Sequence, residues 1–532
     1  VYLDAYALQG GVTVAGRDKL HSLLSDGVVW WNYIGHASPT ALSGEGVFTI
    51  QDVRGLYLKK PAFFYGATCS FVEWDRIEEA GLQQLTLSES GGLIGGIAAV
   101  RPVQIARNGP FAATMGSELF TRTSDGRMRP VAEVLRLAKN RTLNENNKMR
   151  YVMLGDPAMR LAVPGNTVTL DSVNGIKVTP IYDEDTDPIV IQAFSRVRFS
   201  GSVVDADGTR TDAFDGYVSL TLYDAETSFA TIRGDYDEPF VADEQGERLF
   251  TGRGTVKGGK WSVEVVLPSE IADNYRPATL SLYARSETDG TEALGVSRDL
   301  YVYGIADEAI ADNVAPEIEY IYLNHDTFRS GDTVNDTPML LARVSDNTAL
   351  NMAANGIGHQ MSLRIDNTVN LTDISGSFTP DADGTPGGTI AYQLPEISTG
   401  AHHAIFKVWD VAGNSAVSEF DFFVDPTAAP KIFDVYTDAN PATVEANFYI
   451  SHNRPDAMLS VTIEVFDLSG RRVWTSTVKG RADMFATAPV RWDLTDNGGG
   501  RVGRGIYLYK ATVTTDSSSP SSATRRIAVA PM

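Results

Sequence analysis

Cys69 is the only cysteine among 532 residues, and it follows the run Ala62-Phe63-Phe64-Tyr65-Gly66-Ala67-Thr68. A second run, Val28-Val29-Trp30-Trp31-Asn32-Tyr33-Ile34-Gly35, leads into His36. A thiol and an imidazole delivered this way read as a cysteine nucleophile with its base. A free thiol with an ordinary pKa of about 8.5 is only slightly ionised at neutral pH, so a working nucleophile needs a neighbour that favours the thiolate. An imidazolium does this electrostatically and then protonates the leaving amine. The acyl-enzyme formed at Cys69 is resolved by water in a peptidase and by an amine in a transpeptidase, and the residues leave both open. The plainer readings are a small buried cysteine and a satisfied core histidine; the pairing of the two runs favours the dyad.

The elements that must position the pair follow from the pattern. Short β-branched and aromatic runs closed by small residues are what strands buried on both faces of a parallel sheet look like. Ligands bind such sheets outside the carboxyl ends of the strands, so residues at the ends of neighbouring strands can face one another. Between the runs, the segment from Thr49 to Leu58 has apolar residues at helical spacing and supplies the crossover that a parallel pair needs. Helical patterns follow from Arg76 to Glu89, Phe111 to Phe120 and Val131 to Leu143, with a third buried strand over Gly92 to Val100. Residues 1–163 therefore read as an α/β domain. Val1 is not a methionine, and Val1 to Tyr6 has the texture of a strand, so the chain is expected to be a processed or truncated product.

From about Thr167 the texture changes to short alternating strands divided by Asp, Asn, Gly and Pro, the signature of antiparallel sandwiches. Turn formers near Pro164-Gly165-Asn166, Ala311 to Pro316 and Asp425 to Pro430 divide the remainder into a β-sandwich at 167–310, an immunoglobulin-like β-sandwich at 314–426 and a last β-domain at 430–532. The net charge of -22 belongs to these later domains, because residues 1–165 carry 17 Lys and Arg against 15 Asp and Glu. Such a surface disfavours nucleic acid, and no nucleic-acid partner is expected. No apolar stretch is long enough for a membrane-spanning helix.

Gly35-His36, Thr68-Cys69 and the later Leu154-Gly155-Asp156-Pro157-Ala158-Met159-Arg160-Leu161 resemble, in order and spacing, the gingipain family of cysteine peptidases. The closing segment, with Phe466-Asp467-Leu468-Ser469-Gly470-Arg471, Trp492-Asp493 and Gly505-Ile506-Tyr507-Leu508-Tyr509, is similar to the C-terminal sorting domains of proteins exported by the type IX secretion system. The cell-surface sortases of that system join both features. The resemblance implies a multidomain fold: a caspase-like α/β domain with a mostly parallel sheet and flanking helices, followed by all-β immunoglobulin-like sandwiches and a sorting-type domain at 430–532. It implies an exported, outer-membrane-associated enzyme that cleaves sorting domains from secreted cargo and transfers the new acyl end to an amine of anionic lipopolysaccharide. Its implied partners are the outer-membrane barrel PorV, other attachment-complex subunits and the cargo itself. A hydrolytic secreted endopeptidase and a non-catalytic assembly module of the same machinery are the alternatives.

By analogy with caspase-like enzymes, the oxyanion donors are the backbone N–H groups of Cys69 and Ala37. The sequence departs from the family where Ala37 replaces the glycine usual after the histidine, and where Thr68 replaces the alanine usual before the cysteine. Ala37 is unfavourable if that loop needs positive φ. The acid that orients the histidine is expected upstream of residue 1, with Asp4 the sole early alternative. Glu73 and Asp75 read as a solvated loop, and Asp156-Pro157 as a turn. The glycines at 91–96 lack the Gly-Lys-Ser/Thr of a phosphate loop and read as close substrate approach or sheet packing. Asp205-Ala206-Asp207-Gly208 and Asp381-Ala382-Asp383-Gly384 open like calcium loops but lack the glutamate at the twelfth loop position, so turns are expected. No metal and no cofactor is expected.

Overall fold

The computed structural model describes residues 1–531 apart from 57, 59, 89–90, 125, 143–145, 182–186, 234–237, 308–310, 354–358, 367–371 and 384–385. Its α/β portion is built on a four-stranded sheet of β1 (Trp30–Ile34), β2 (Phe63–Ala67), β3 (Gly95–Ala99) and β4 (Tyr151–Gly155), side by side in that order. β1–β2 and β2–β3 are parallel, and β4 runs antiparallel to β3.

β2 lacks polar alternation because both of its faces are covered. Phe64 points into a core shared with Trp31, Phe48 and Phe71 and with residues of α1 (Val14–Asp26), α2 (Ile50–Gly55) and α3 (Gly81–Leu87). Phe63 and Tyr65 point the other way, onto α4 (Ile105–Leu119) and α5 (Val131–Arg141). The strand period of two thus sends neighbouring aromatic residues into different cores. In β3 a Cβ on Gly96 would sit 2.6 Å from Leu82 Cδ1 and 3.1 Å from the Phe64 carbonyl oxygen, so the glycine lets α3 lie on the sheet. Of the two readings of the glycine run, Gly96 follows sheet packing.

Some expectations change. Val1 to Tyr6 is not a strand: Leu3–Ala5 is a 3-10 turn, held by contacts described below. The helix expected from Arg76 is only Gly81–Leu87, because Ile77 (106% exposed) faces solvent from the loop that precedes it. Glu89, its expected end, lies outside the described residues, as does Leu143.

Three further apolar cores run over 168–302, 323–424 and 435–529. The last two lie between pairs of sheets, of four and five strands and of three and four strands. The first differs from two separate sheets. Its strand Asn166–Val173 pairs antiparallel with Arg196–Val204 and, briefly, parallel with Glu292–Ser297, so the hydrogen bonding closes into a ring. The bend falls at a register shift between Ser200 and Gly201, where any Cβ on Gly201 would collide with the Thr169 carbonyl oxygen at 1.8 Å. Among the described residues no helix is long and apolar enough to cross a membrane.

His452 makes the last domain pH-sensitive. It is fully buried, its Nδ1 accepts the Arg454 N–H at 3.0 Å, and its Nε2 has no partner among the described residues. Burial, and secondarily the Arg454 charge, depress its pKa to about 4. The unfolded chain therefore binds a proton near pH 6.5 that the folded chain refuses. Stability is fully present above about pH 6.5 and falls by up to about 3 kcal/mol as pH drops toward 4. Urea unfolding of the native chain and His452→Gln between pH 7 and 4 checks this: the native midpoint should fall more steeply than the variant's.

Candidate active site

The parallel register of β1 and β2 pairs Ile34 with Ala67, and two residues beyond that pair lie His36 and Cys69. Both leave the carboxyl end of the sheet. His36 is exposed and Cys69 partly exposed, so solvent reaches this edge.

A side chain that sequence reasoning treated only as a departure ties the two strand ends together. Thr68 is buried, and its hydroxyl donates to the Gly35 carbonyl at 2.6 Å, joining the residue before the cysteine to the residue before the histidine. Tyr33 adds a second restraint by folding over Gly35, where a Cβ would meet its Oη at 2.8 Å, to donate to the His36 carbonyl at 2.6 Å. Burial pushes the Tyr33 phenol up to about 12, so it remains a protonated donor. The His36 carbonyl also accepts the Ser43 N–H at 2.8 Å.

Ala37 pairs as a bridge with Leu42 and is absent from the residues with positive φ, so its methyl group imposes no backbone strain. The concern that alanine distorts this loop is thereby removed. The bonds of that bridge run from Ser43 N–H to His36 and from Ser38 N–H to Ala41, leaving the Ala37 N–H without an acceptor among the described residues. The Cys69 N–H likewise has none, so both oxyanion candidates are free to donate.

The Cys69 sulfur rests on the exit of β3. The Val103 N–H donates to Sγ at 3.3 Å, and Sγ lies 3.6 Å from the Val103 carbonyl oxygen. The N–H supports negative charge on sulfur and the carbonyl accepts from the neutral thiol. No hydrogen bond joins Sγ to the imidazole among the described residues, and no carboxylate there bonds the His36 ring. Asp4, the early alternative for an orienting acid, instead faces Arg233 at 3.3 Å.

Beneath the thiol lies a buried polar network. Asn108 of α4 donates to the Ala67 carbonyl at 3.2 Å and accepts from the Tyr151 hydroxyl at 2.9 Å and from Asn147 Nδ2 at 3.3 Å. Asn147 also exchanges bonds with the Gln104 backbone at 2.9 and 3.2 Å. The network joins the end of β2 to the segment that cradles the sulfur. Its signal in the sequence is Asn108 standing on the same helical face as Phe111, Met115 and Leu119.

Residues near and far then sort themselves. Asp75 pairs in bidentate fashion with Arg101 at 3.0 and 2.5 Å, with Glu73 3.9 Å from the same guanidinium, so this loop is internally ion-paired. Gly155 pairs with Gly95 at the start of β3, which puts Asp156 at the opposite end of the sheet from Cys69; its carboxylate accepts the Ala158 N–H at 2.9 Å in a turn. Asp205 closes a turn on the Asp207 and Thr209 N–H groups. Asp381 pairs with Arg343, and Gly384 lies outside the described residues. Reading for calcium loops missed an acidic group: carboxylate oxygens of Asp312, Asp346 and Asp410, distant in sequence, lie within 4.8 Å of one another. Burial, with repulsion from the other two, raises the Asp346 carboxyl above its ordinary range.

Replacing Asn108 by alanine leaves the Tyr151 hydroxyl and Asn147 amide without their shared acceptor. The α/β domain should lose about 1–3 kcal/mol, measured by urea unfolding followed through tryptophan fluorescence.

Residues 1–162 match the profile of Peptidase family C25. Among solved structures, the crystal structure of dimeric latent PorU from Porphyromonas gingivalis is 30% identical, with 78% of this chain and 39% of that chain covered and a TM-score of 0.34. The Arg-specific cysteine proteinase gingipain R (RgpB) is 16% identical over 54% of this chain and 56% of that chain, with a TM-score of 0.26. This chain thus spans about two-fifths of the PorU chain it matches. No curated protein sequence matches it. Its α/β portion, residues 1–162, is thus similar to peptidase family C25, the gingipain family, in a caspase-like fold that β-domains follow.

Proposed function

We propose that the chain is a cell-surface cysteine peptidase of the sortase type, in which Cys69 is the nucleophile and His36 the base. One observation carries the reading: the two residues leave adjacent parallel strands at the same register, neither is buried, and the strand ends are tied by Thr68. In this reading the Cys69 thiolate attacks the scissile carbonyl, and the Ala37 and Cys69 N–H groups take up the oxyanion. Protonated His36 delivers its proton to the departing amine as the C–N bond breaks, leaving a thioester on Cys69. Attack by water on that thioester yields a carboxylate; attack by an amine yields a new amide.

Support for transfer comes from the closing domain, whose Asp467 turn, Trp492-Asp493 and Gly505–Thr514 strand carry the resemblance to type IX sorting domains. The sequence resemblance that unites such a domain with a gingipain-like one is to PorU, the sortase of that system. The proposed substrates are therefore sorting domains of secreted cargo, the proposed acceptor is an amine of anionic lipopolysaccharide, and the proposed seat is the outer membrane beside the barrel PorV and other attachment-complex subunits.

Cys69→Ala should abolish cleavage of a sorting-domain substrate, and His36→Ala should lower kcat by about 10²–10⁴-fold. Mass spectrometry of the products with and without an amine acceptor then separates transfer from hydrolysis, since a product bearing only a free carboxyl end with the amine present contradicts the sortase assignment. A chloroacetamide probe that labels native Cys69 no faster at neutral pH than the unfolded chain would sink both enzyme readings.

A further inference from the structure

Arg233 belongs to the second domain, yet its guanidinium is spent on the first. Nη1 donates to Glu45 Oε1 at 3.1 Å and faces Asp4 Oδ1 at 3.3 Å, Nη2 donates to the Leu3 carbonyl at 3.1 Å, and Nε to the Tyr6 carbonyl at 3.1 Å. The Ile232 and Arg233 N–H groups both donate to the Asp4 carbonyl, at 2.9 and 3.3 Å. These bonds anchor the Leu3–Ala5 turn. The guanidinium also reaches the loop that follows His36. Glu45 lies between the short paired strands Ala41–Leu42 and Phe48–Thr49, its carboxylate also engages the Ser43 side chain, and the Ser43 N–H holds the His36 carbonyl. A continuous set of polar contacts thus runs from Arg233 through Glu45 and Ser43 to the backbone of the candidate base.

We propose that Arg233 is a positioning residue for His36, so that docking of the β-domain on the α/β domain sets the competence of the Cys69–His36 pair. The inference rests on the reading of that pair as the catalytic dyad. Arginine suits the task because its planar fork engages a carboxylate and two carbonyls at once, whereas a lysine offers one point of charge. The side chain is only 25% exposed and Glu45 29%, so the contact is shielded from solvent more than a surface pair is. A small displacement of a catalytic group costs as much as about 10²-fold in rate, so loosening the Ser43–His36 contact is expected to show in chemistry before it shows in stability.

The test uses the full chain and needs no substrate. The rate of Cys69 alkylation by chloroacetamide at pH 7 is divided by the rate at pH 9, where the thiol ionises with less help from a neighbouring charge. His36→Ala defines the ratio without the base. Arg233→Ala should lower the native ratio about three- to tenfold, with Arg233→Lys recovering part of it. Phe229→Ala removes the ring 5.4 Å from Tyr2 in the same interface without touching Glu45, and should leave the ratio as in the native chain. A native ratio in Arg233→Ala alongside a lowered one in His36→Ala overturns the positioning role and spares the dyad. An equal fall in Phe229→Ala and Arg233→Ala also overturns it, assigning the effect to loss of docking in general. A native ratio in His36→Ala overturns the dyad and the positioning role together.

Discussion

The parallel pairing of β1 with β2 is the constraint on which the candidate site depends. A parallel pair sends both chains out of the same end of the sheet, so one register, Ile34 beside Ala67, sets where His36 and Cys69 emerge. Because side chains alternate along a strand, a slip by one residue reverses which face each side chain meets. The register is held by the central position of β2, whose aromatic side chains are shared between two cores, and by the Thr68 hydroxyl on the Gly35 carbonyl. Antiparallel pairing would have put the two residues at opposite ends, as it does for Asp156 at the end of β4.

Around that register the molecule separates two tasks. Apolar packing sets where the strands lie, and buried hydrogen bonds set how their ends are aimed. Asn108, Asn147 and Tyr151 sit beneath the β2 exit, nearly or fully buried, and their polar atoms meet one another or backbone groups. A buried network with its members satisfied is rigid, because each displacement exposes an unpaired donor or acceptor. The same logic governs Tyr33, which remains protonated in its half-buried seat and so continues to donate to the His36 carbonyl. The Cys69 sulfur touches the Val103 peptide, placing the thiol between strand exits rather than inside either core.

The β-domains bear most of the negative charge and also reach the site. Arg233 extends from the second domain to Leu3 and Tyr6 and to the loop after His36, so this segment of the α/β domain is folded against a neighbour. Sequence patterning had no access to this. Val1 to Tyr6 read as a strand because it is a short run of apolar and aromatic residues, but Tyr2 packs on Phe229 and Phe240 and the carbonyls of Leu3 and Tyr6 are taken by a guanidinium. Those partners are more than two hundred residues away.

What the sequence by itself determined is set by local physics. Apolar runs over β1, β2 and β3 announced strands, and β2 and β3 are covered on both faces, whereas β1 at the sheet edge leaves Asn32 and Ile34 exposed; small closing residues marked the exits, and His36 and Cys69 stood at two of them. The change to alternating strands after residue 163 marked the β-domains, although not the closing of the first into a ring, which needed the bend at Gly201 and pairing between distant strands. Tertiary structure alone decided the functions of Thr68, Asn108 and Arg233 and the gathering of Asp312, Asp346 and Asp410. The physical reason is that a side chain's propensity and period act over a few residues, whereas a hydroxyl, amide, guanidinium or carboxylate acquires its role from whichever partner the folded chain brings within about 3 Å.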